Sequence, residues 1–387
     1  MTTTADPLLT EHQRALVDGV GTLCGRLISD ELLADLDARS DFPYAVMDAL
    51  IDGGWSSLPV NAAAGGGAGT AADLAVVHEE LARHSLVVGQ AYFSLWVLGA
   101  EAIDRLGDDR QRELWLPAIA DKGAKVAFAL TEPGSGSDAA ALSTKASSDG
   151  DELVVNGQKV FITGAALADT IITAVRTSSG ESKHDGITLL MIDPALPGVT
   201  VRKLTKMGIR ALDLCEVFFE DVRVPRSAVL GTIDGGWSAL MPGLAKERVY
   251  LAALAVGAMR DVAERCSEHA LVRTAFGRPL SSHQLLADKI IEMRVAIDRC
   301  RGLVKQAASL VDMDHPSAVT AASVAKLEAS RSYVSVCREA VQVFGGYGFT
   351  EEHAVSRHYR DCKYLEIGGG SSEIQKIVIG RSMGFRL

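Results

Sequence analysis

The hydrophobic period of this chain changes twice along its length, and that constrains the fold more than any other feature. Up to about Lys122, apolar residues recur at helical spacing among interleaved charges, as in AADLAVVHEELARH, with a break at the glycine-rich stretch Ala62 to Gly69. From Gly123 to Gly236 the pattern shortens to β-rich runs: VAFAL, ELVV, KVFI, DTIITAV, ITLLMI, VTVRKL and EVFFEDVRV. Asn156-Gly157 between two of these runs is the dipeptide that a tight hairpin prefers. Beyond Trp237 the helical spacing returns, and Leu286, Ile290, Met293, Ile297, Cys300 and Val304 alternate steps of four and three, the seam of a helix in a bundle. After a break at Asp314 to Pro316, a further helix is expected from about Ser317 to Phe344, ending at Gly345-Gly346. The order helical, β, helical predicts an α+β protein with units at 1–122, 123–236 and 237–387.

A chain of 387 residues, 48% hydrophobic, buries a large core. Its formal charge of −10, with no basic run, excludes partners recognised by phosphate neutralisation, so neither nucleic acid nor an anionic membrane is expected. Cys24, Cys215, Cys266, Cys300, Cys337 and Cys362 lie far apart without CxxC or metal-type spacing, which predicts buried thiols in a reducing compartment and no metal site. MTTTADPLLTEHQ has no basic segment leading into an apolar one, so no secretory signal is read and a cytoplasmic location is expected. The uncharged stretch from Ser85 to Ala100 falls short of the roughly 18 apolar residues of a membrane span and reads as a buried helix.

Chemistry-bearing residues begin at AFALTEPGSGSD, where a β-run ends in a loop carrying Thr131, Ser135 and Ser137 beside Pro133, Gly134 and Gly136. Such a loop can point hydroxyls and N–H groups at an anionic or heteroaromatic ligand. TEPGSGSD is followed in order by NGQKVFITGA, RTAFGRPLSSHQ, QVFGGYGFT and GGGSSEIQ. This series closely resembles the acyl-CoA dehydrogenase family, over a span from about Val77 to the C-terminus.

The resemblance implies an N-terminal helical domain, a middle β-barrel-like domain and a C-terminal four-helix bundle, with FAD held between the last two and across a subunit interface. It places Thr131 at the pyrimidine edge of the flavin, Ser137 near the pyrophosphate and the thioester tail, Phe161 beside the ring and Thr163 at N5. It assigns Arg273, Phe276 and Gln284 to the part of FAD reached from a neighbouring subunit, Gln342, Gly345 and Gly346 to the adenosine side, and Ser371 and Glu373 to the flavin's vicinity. A flavin that accepts hydride becomes anionic, so donors placed there stabilise its reduced state, and arginine suits phosphate because its guanidinium is always charged. A homodimer at least, and a homotetramer by family habit, follows.

The implied reaction is α,β-dehydrogenation of an acyl thioester on coenzyme A or a carrier protein, with electrons passed to an electron-transfer flavoprotein. Many members place their catalytic carboxylate where this chain has Gly369. In the isovaleryl and long-chain branches the base sits in a helix motif that aligns with LAKERVYLAA, which makes Glu247 the base here and retains Arg248 for the substrate. Ala245 replaces an aspartate that some members use to hold pantetheine, Glu366 is a poorer substitute base, and Glu132 reads as structural. Glycine at 368 and 369 is expected to widen the cavity beside the reacting carbons, suiting a branched or bulky acyl group. A flavin-dependent oxidase or monooxygenase on the same fold is the competing reading, and a scaffold holding a structural flavin is a third.

Overall fold

The computed structural model describes residues 8–387; the signal-peptide reading rests partly on Met1 to Pro7, which lie outside the described residues. Helices α1 (Glu11–Leu27), α2 (Asp30–Arg39), α3 (Tyr44–Asp52), α4 (Ala71–His84), α5 (Leu86–Tyr92), α6 (Leu98–Leu106) and α7 (Asp109–Lys122) form the first unit. Their starts are written in the sequence. Thr10, Thr70 and Asp108 each cap a helix while the residue three further on bonds back, closing capping boxes that satisfy otherwise orphaned backbone donors.

Between α5 and α6 the chain does not stop: Phe93–Val97 forms a π-helical turn, so Leu86–Leu106 is one continuous helical segment of 21 residues. This corrects the reading of an apolar stretch too short to span a membrane. Its length and mean hydropathy of 1.4 would suffice, but 83% of its apolar window is buried inside the protein, as a core helix requires.

Strands β1 (Val126–Ala129), β2 (Lys145–Asp149), β3 (Glu152–Thr163), β4 (Thr170–Arg176), β5 (Ile187–Ile192), β6 (Val199–Lys203), β7 (Leu214–Pro225) and β8 (Val229–Leu230) build one eight-stranded sheet. Its order is β6-β7-β3-β2-β4-β5-β8, with β1 parallel to β4. The two strands with unbroken apolar runs, β4 and β5, are buried along nearly their whole length.

The expected hairpin at Asn156-Gly157 is absent. ELVV and KVFI belong to the single strand β3, which passes through that dipeptide with a bulge against β7. Asn156 is held there by a reciprocal pair with Asp221, its Nδ2 donating to Oδ1 at 3.0 Å and its Oδ1 accepting from the Asp221 N–H at 2.9 Å. The reversal occurs earlier, at Gly150-Asp151 between β2 and β3, where Gly150 takes φ +61°.

The third unit contains α8 (Gly236–Leu240), α9 (Gly243–Val272), the short hairpin β9 (Thr274–Ala275) and β10 (Arg278–Pro279), α10 (Gln284–Asp312), α11 (Ala318–Phe344), α12 (Ala354–Ile367) and α13 (Ser372–Ser382). Met293, Ile297, Cys300 and Val304 of the expected seam are buried, while Leu286 and Ile290 are half-buried at its end. Helix α9 packs on α10 and α11 and also on α4. Gly257 makes the α4 contact possible, because a Cβ there would fall 1.9 Å from the carbonyl oxygen of Glu79. One continuous apolar core therefore joins both helical units and one side of the sheet, and a second fills the sheet's other side. All six cysteines are free and buried, and burial pushes the Cys24 and Cys266 thiols up to about 12.

Candidate active site

Two carboxylates that the sequence distinguishes, Glu132 and Glu247, end in opposite environments. In the loop after β1, Glu132 and Ser135 exchange backbone hydrogen bonds at 3.1 Å in both directions. The Glu132 carboxylate accepts from Ser143 N–H (2.6 Å), Ser143 Oγ (2.7 Å), Thr144 N–H (2.9 Å) and Lys159 Nζ (2.8 Å). Burial alone would raise its pKa, but the Lys159 ammonium and these donors outweigh burial and hold it at about 2. Glu132 is thus a clamp that fixes the shape of the loop carrying Thr131 and Ser137, as the sequence indicates. Thr131 is tied to β3 through its carbonyl, which accepts from Val160 N–H at 2.9 Å, and Ser137 is exposed. Within this loop Ser135 Oγ is buried without a partner among the described residues.

Glu247 stands in the second turn of α9, on one face with Leu251 and Leu254 at helical spacing. It is half-buried, with protein crowding it on most sides. Burial raises its pKa above the usual carboxylate range, against the pull of Arg248 and Lys326. Both cations are engaged elsewhere: Arg248 Nη1 donates to Ser323 Oγ at 3.3 Å and Lys326 Nζ to the Gly370 carbonyl at 2.7 Å. Arg248 Nε has no partner among the described residues. Burial lowers Lys326 to about 8, opposed by Glu247 and reinforced by Arg248.

The segment that connects α12 to α13 brings Gly369 against this carboxylate. A Cβ built on Gly369 would lie 3.3 Å from Glu247 Oε1 and 2.2 Å from Leu251 Cδ1, on a backbone at φ +63°. Gln375 Nε2 donates to the carbonyls of Gly369 (3.1 Å) and Gly370 (2.8 Å), so this loop is pinned by Gln375 and Lys326 together. The expected widening at the glycines does not follow: Leu251 fills the side-chain direction at Gly369, and the Tyr364 ring lies 3.1 Å from a Cβ at Gly368. Ala245 is buried, and Glu366 is turned to Lys363 at the surface.

Thr163, at the end of β3, is half-buried and lies beside the Tyr364 hydroxyl, whose pKa burial pushes up with the Glu247 carboxylate adding to the rise. Phe161 is 61% exposed at a β3 bulge with φ +60°. A second exposed and strained aromatic, Phe276, occupies the β9–β10 turn at φ +52° and 98% exposure. A non-glycine residue in this conformation costs about 1–2 kcal/mol. The strain is therefore paired, at both places, with an uncovered ring. Ser371 caps α13 and Glu373 lies exposed in its first turn.

Arg273, Phe276 and Gln284 lie exposed around the β9–β10 hairpin, and Gln342, Gly345 and Gly346 lie exposed at the end of α11. The Arg273 guanidinium sits 5.8 Å over the Tyr347 ring, and His269 stacks on Phe344 at 4.2 Å, which joins the two segments into one surface. This surface is not next to Glu247. Residues 247 and 273 stand at opposite ends of α9, and 26 residues of helix at its usual rise span about 39 Å. Sequence reasoning did not pick out Lys326, Tyr364, Leu251 or Gln90. Lys326 alone left a trace, a single lysine within the small-residue run AASVAKLEAS.

Models of the acyl-CoA dehydrogenase N-terminal, middle and C-terminal domains match residues 10–123, 127–222 and 234–384. The chain belongs to the acyl-CoA dehydrogenase family. A probable acyl-CoA dehydrogenase of Bacillus subtilis is 36% identical over 90% of this chain and 92% of its own length. The subunit CarC of a caffeyl-CoA reductase-Etf complex from Acetobacterium woodii is 33% identical over 91% of this chain and 93% of its own. Among solved structures, butyryl-CoA dehydrogenase from Megasphaera elsdenii superposes with a TM-score of 0.93 at 30% identity, covering 98% of this chain and all of that one. As in the rest of this family, oxidoreductase chemistry on a CH–CH bond is the enzyme's activity class.

Proposed function

We propose that this acyl-CoA dehydrogenase removes the α-proton of an acyl thioester with Glu247 while the β-hydrogen leaves as hydride. The single observation behind this assignment is the half-buried Glu247 carboxylate, raised by burial and adjoining Gly369 at the point where two different elements of the fold meet. A carboxylate held above its ordinary range by burial is a better proton acceptor, and its neighbouring cations favour its ionised form without consuming it in an ion pair. The proton taken from the α-carbon ends on Glu247; the carbon–carbon double bond forms as the β-hydrogen departs with its electron pair.

Bound FAD would supply the acceptor for that pair. Thr131, Ser137, Phe161 and Thr163 fit such a group: a loop shaped by Glu132, an orphaned buried hydroxyl at Ser135, and a strained, uncovered ring are the features a flavin would complete. Arg273, Phe276, Gln284, Gln342, Gly345 and Gly346 fit its phosphate and adenosine portions, with Ser371 and Glu373 nearer the flavin. The second set lies at the far end of α9 from Glu247, about 39 Å along the helix, which favours its serving the dinucleotide of a neighbouring copy. The two sets would therefore meet from neighbouring copies, making a homodimer the smallest working unit and a homotetramer compatible with it.

Arg248, buried and with an unsatisfied Nε, would hold the substrate near the reacting carbons. The pantetheine arm is shared by coenzyme A and carrier proteins, and both remain within this proposal. The naming of CarC as part of an Etf complex supports an electron-transfer flavoprotein as the onward acceptor, in a cytoplasmic setting. The test is anaerobic bleaching of the flavin by straight and branched acyl thioesters in native protein and Glu247→Gln. Bleaching that disappears in the variant supports the assignment; bleaching retained in the variant removes Glu247 from the role, and no bleaching by any thioester removes the dehydrogenation reading.

A further inference from the structure

Among the described non-glycine residues held at positive φ, one is both β-branched and buried: Ile209, at φ +49° and 5% exposed, in the loop between β6 and β7. A side chain branched at Cβ crowds its own backbone there, so the conformation persists only where the surroundings impose it. Asp361 of α12 is one such restraint, its Oδ1 accepting from the Ile209 N–H at 2.5 Å. Arg360 Nη1 donates to the Met207 carbonyl at 3.1 Å and Lys206 Nζ to the Arg210 carbonyl at 3.0 Å, so the backbone is held on both flanks of Ile209. Gly208 presses on α12, where a Cβ would lie 2.4 Å from the Arg360 carbonyl oxygen.

This loop opens directly from the strand pairing that carries Thr163. Thr163 of β3 is the register partner of Leu214 of β7, the Leu204 N–H donates to the Leu214 carbonyl at 2.7 Å, and the Gly164 N–H donates to the Asp213 carbonyl at 2.9 Å. The base of the loop is therefore tied to the Thr163–Gly164 end of β3, and Ile209 further along it is tied to Asp361. Three residues beyond Asp361, on a neighbouring position of the same helix face, Tyr364 sets its hydroxyl beside Thr163 and Gln90. Helix α12 thus reaches Thr163 twice, once through Tyr364 and once through Asp361 and the loop.

Resting on the dehydrogenase reading above, we propose that Asp361 is a positioning residue for the hydride step: by fixing the strained Ile209 it holds the β6–β7 loop on α12 and so keeps Thr163 in place beside the bound flavin. Buried at 3% exposure, Asp361 acts through Gly164 and Thr163 rather than on the substrate. A backbone held off its preferred conformation relaxes once the restraint is gone. A displacement of about 1 Å at a group that orients the reactants is worth about 10²-fold in rate.

The test compares native flavin-loaded protein with Asp361→Leu, which keeps the volume and loses the acceptor, and with Asp361→Asn, which keeps an acceptor. Amide hydrogen exchange is followed without any thioester over 161–165, 204–213 and, as a reference, β5; stopped-flow flavin reduction is then followed across thioester concentrations. In Asp361→Leu, exchange is expected to quicken roughly tenfold or more in both 204–213 and 161–165 and to stay unchanged in β5, one hydrogen bond to a carboxylate being worth that much. The limiting reduction rate is expected to fall about 10²-fold while the half-saturating thioester concentration stays within about twofold. Asp361→Asn is expected to restore both. Faster exchange confined to 204–213, or spread equally to β5, overturns the proposal, as does a loss in half-saturation instead of limiting rate, or an asparagine variant as impaired as the leucine one. Should Asp361→Leu not fold, Asp361→Ser, too short to reach the Ile209 N–H, takes its place. Exchange requires no turnover, so a flavin that no thioester bleaches strikes the dehydrogenase reading alone, while the exchange pattern still decides whether Asp361 holds Thr163.

Discussion

Glu132 and Glu247 are both glutamates in tight quarters, and the fold treats them in opposite ways. Glu132, in the middle unit, has its carboxylate oxygens saturated by Ser143, Thr144 and Lys159 and is driven down to about 2. Glu247, at the meeting of α9 with the α12–α13 loop, has cations nearby that are bonded to other groups, and burial drives it up. Burial alone therefore says little about a carboxylate's role. What separates a structural clamp from a base is whether its donors are spent on it or on something else.

The sharpest way to break this contrast is to neutralise each carboxylate in turn. Glu247→Gln should lower kcat/KM by about 10²- to 10⁴-fold, the usual worth of a positioned base, while the melting temperature holds or rises. The rise follows from the sign of the shift. A folded-state pKa raised above the unfolded value means the carboxylate costs stability at pH values above it, and the amide removes that cost. Stopped-flow bleaching and thermal melts on the same samples check both halves; a variant that loses stability along with activity would show Glu247 to be structural.

Glu132→Gln should do the reverse. Lys159 is fully buried, and removing its partner leaves an uncompensated charge, at a cost of about 3–5 kcal/mol. Urea unfolding of Glu132→Gln against the double variant Glu132→Gln, Lys159→Met measures this, with most of the loss recovered in the double variant. The depressed Glu132 pKa also predicts acid sensitivity. Its stabilisation is complete above the ordinary value of 4.5 and is lost as pH falls from there toward about 2, so Glu132→Gln should show a flatter stability profile across that window.

Lys326→Met should sharpen the Glu247 side. Only the ionised carboxylate accepts the α-proton, so kcat/KM should fall as pH drops through the raised Glu247 pKa. Taking away the nearby ammonium disfavours the carboxylate and moves that acid limb to higher pH. A pH profile that does not move would mean that Lys326 acts only by holding the Gly370 carbonyl. The smallest effect is expected for Gly369→Ala, which forces a left-handed φ on a residue with a Cβ for about 1–2 kcal/mol and pushes on Leu251. Chemical denaturation and kcat together should show activity falling more than stability, because Leu251 shares a helix face with Glu247.

The three-part architecture was legible because hydrophobic period is a local property: AADLAVVHEELARH must be a helix with one apolar face, and ITLLMI must be covered on both sides. The Asn156-Gly157 reading failed for a reason that is not local. A bulge with a cross-strand Asn156–Asp221 pair satisfies the same dipeptide without reversing the chain, and Asp221 is 65 residues away. The continuous helical segment through Phe93–Val97 was missed likewise, since a π-helical turn has no compositional signature of its own.

The candidate site divides along the same line. Residue types and their order in the chain pointed to Glu247, Thr131, Ser137, Arg273 and the glycines, since a motif is a list of chemistries at fixed spacings. The widened cavity expected at Gly368 and Gly369 was a wrong inference from the same list, because the sequence does not say that Leu251 and Tyr364 occupy the space a side chain would take.

The sequence by itself determined the order of helical and β units, the caps that start the helices, and the identities of the groups available for chemistry. Tertiary structure alone decided which glutamate is paired and which is left to take a proton, that Gly369 would adjoin Glu247, and that Gln90 would end buried with one oxygen unsatisfied. Periodicity and capping act over a few residues and are printed in any short window. Ionisation, strain and satisfaction of a buried polar atom are set by groups tens to hundreds of residues apart, and only folding brings those groups within a few ångströms.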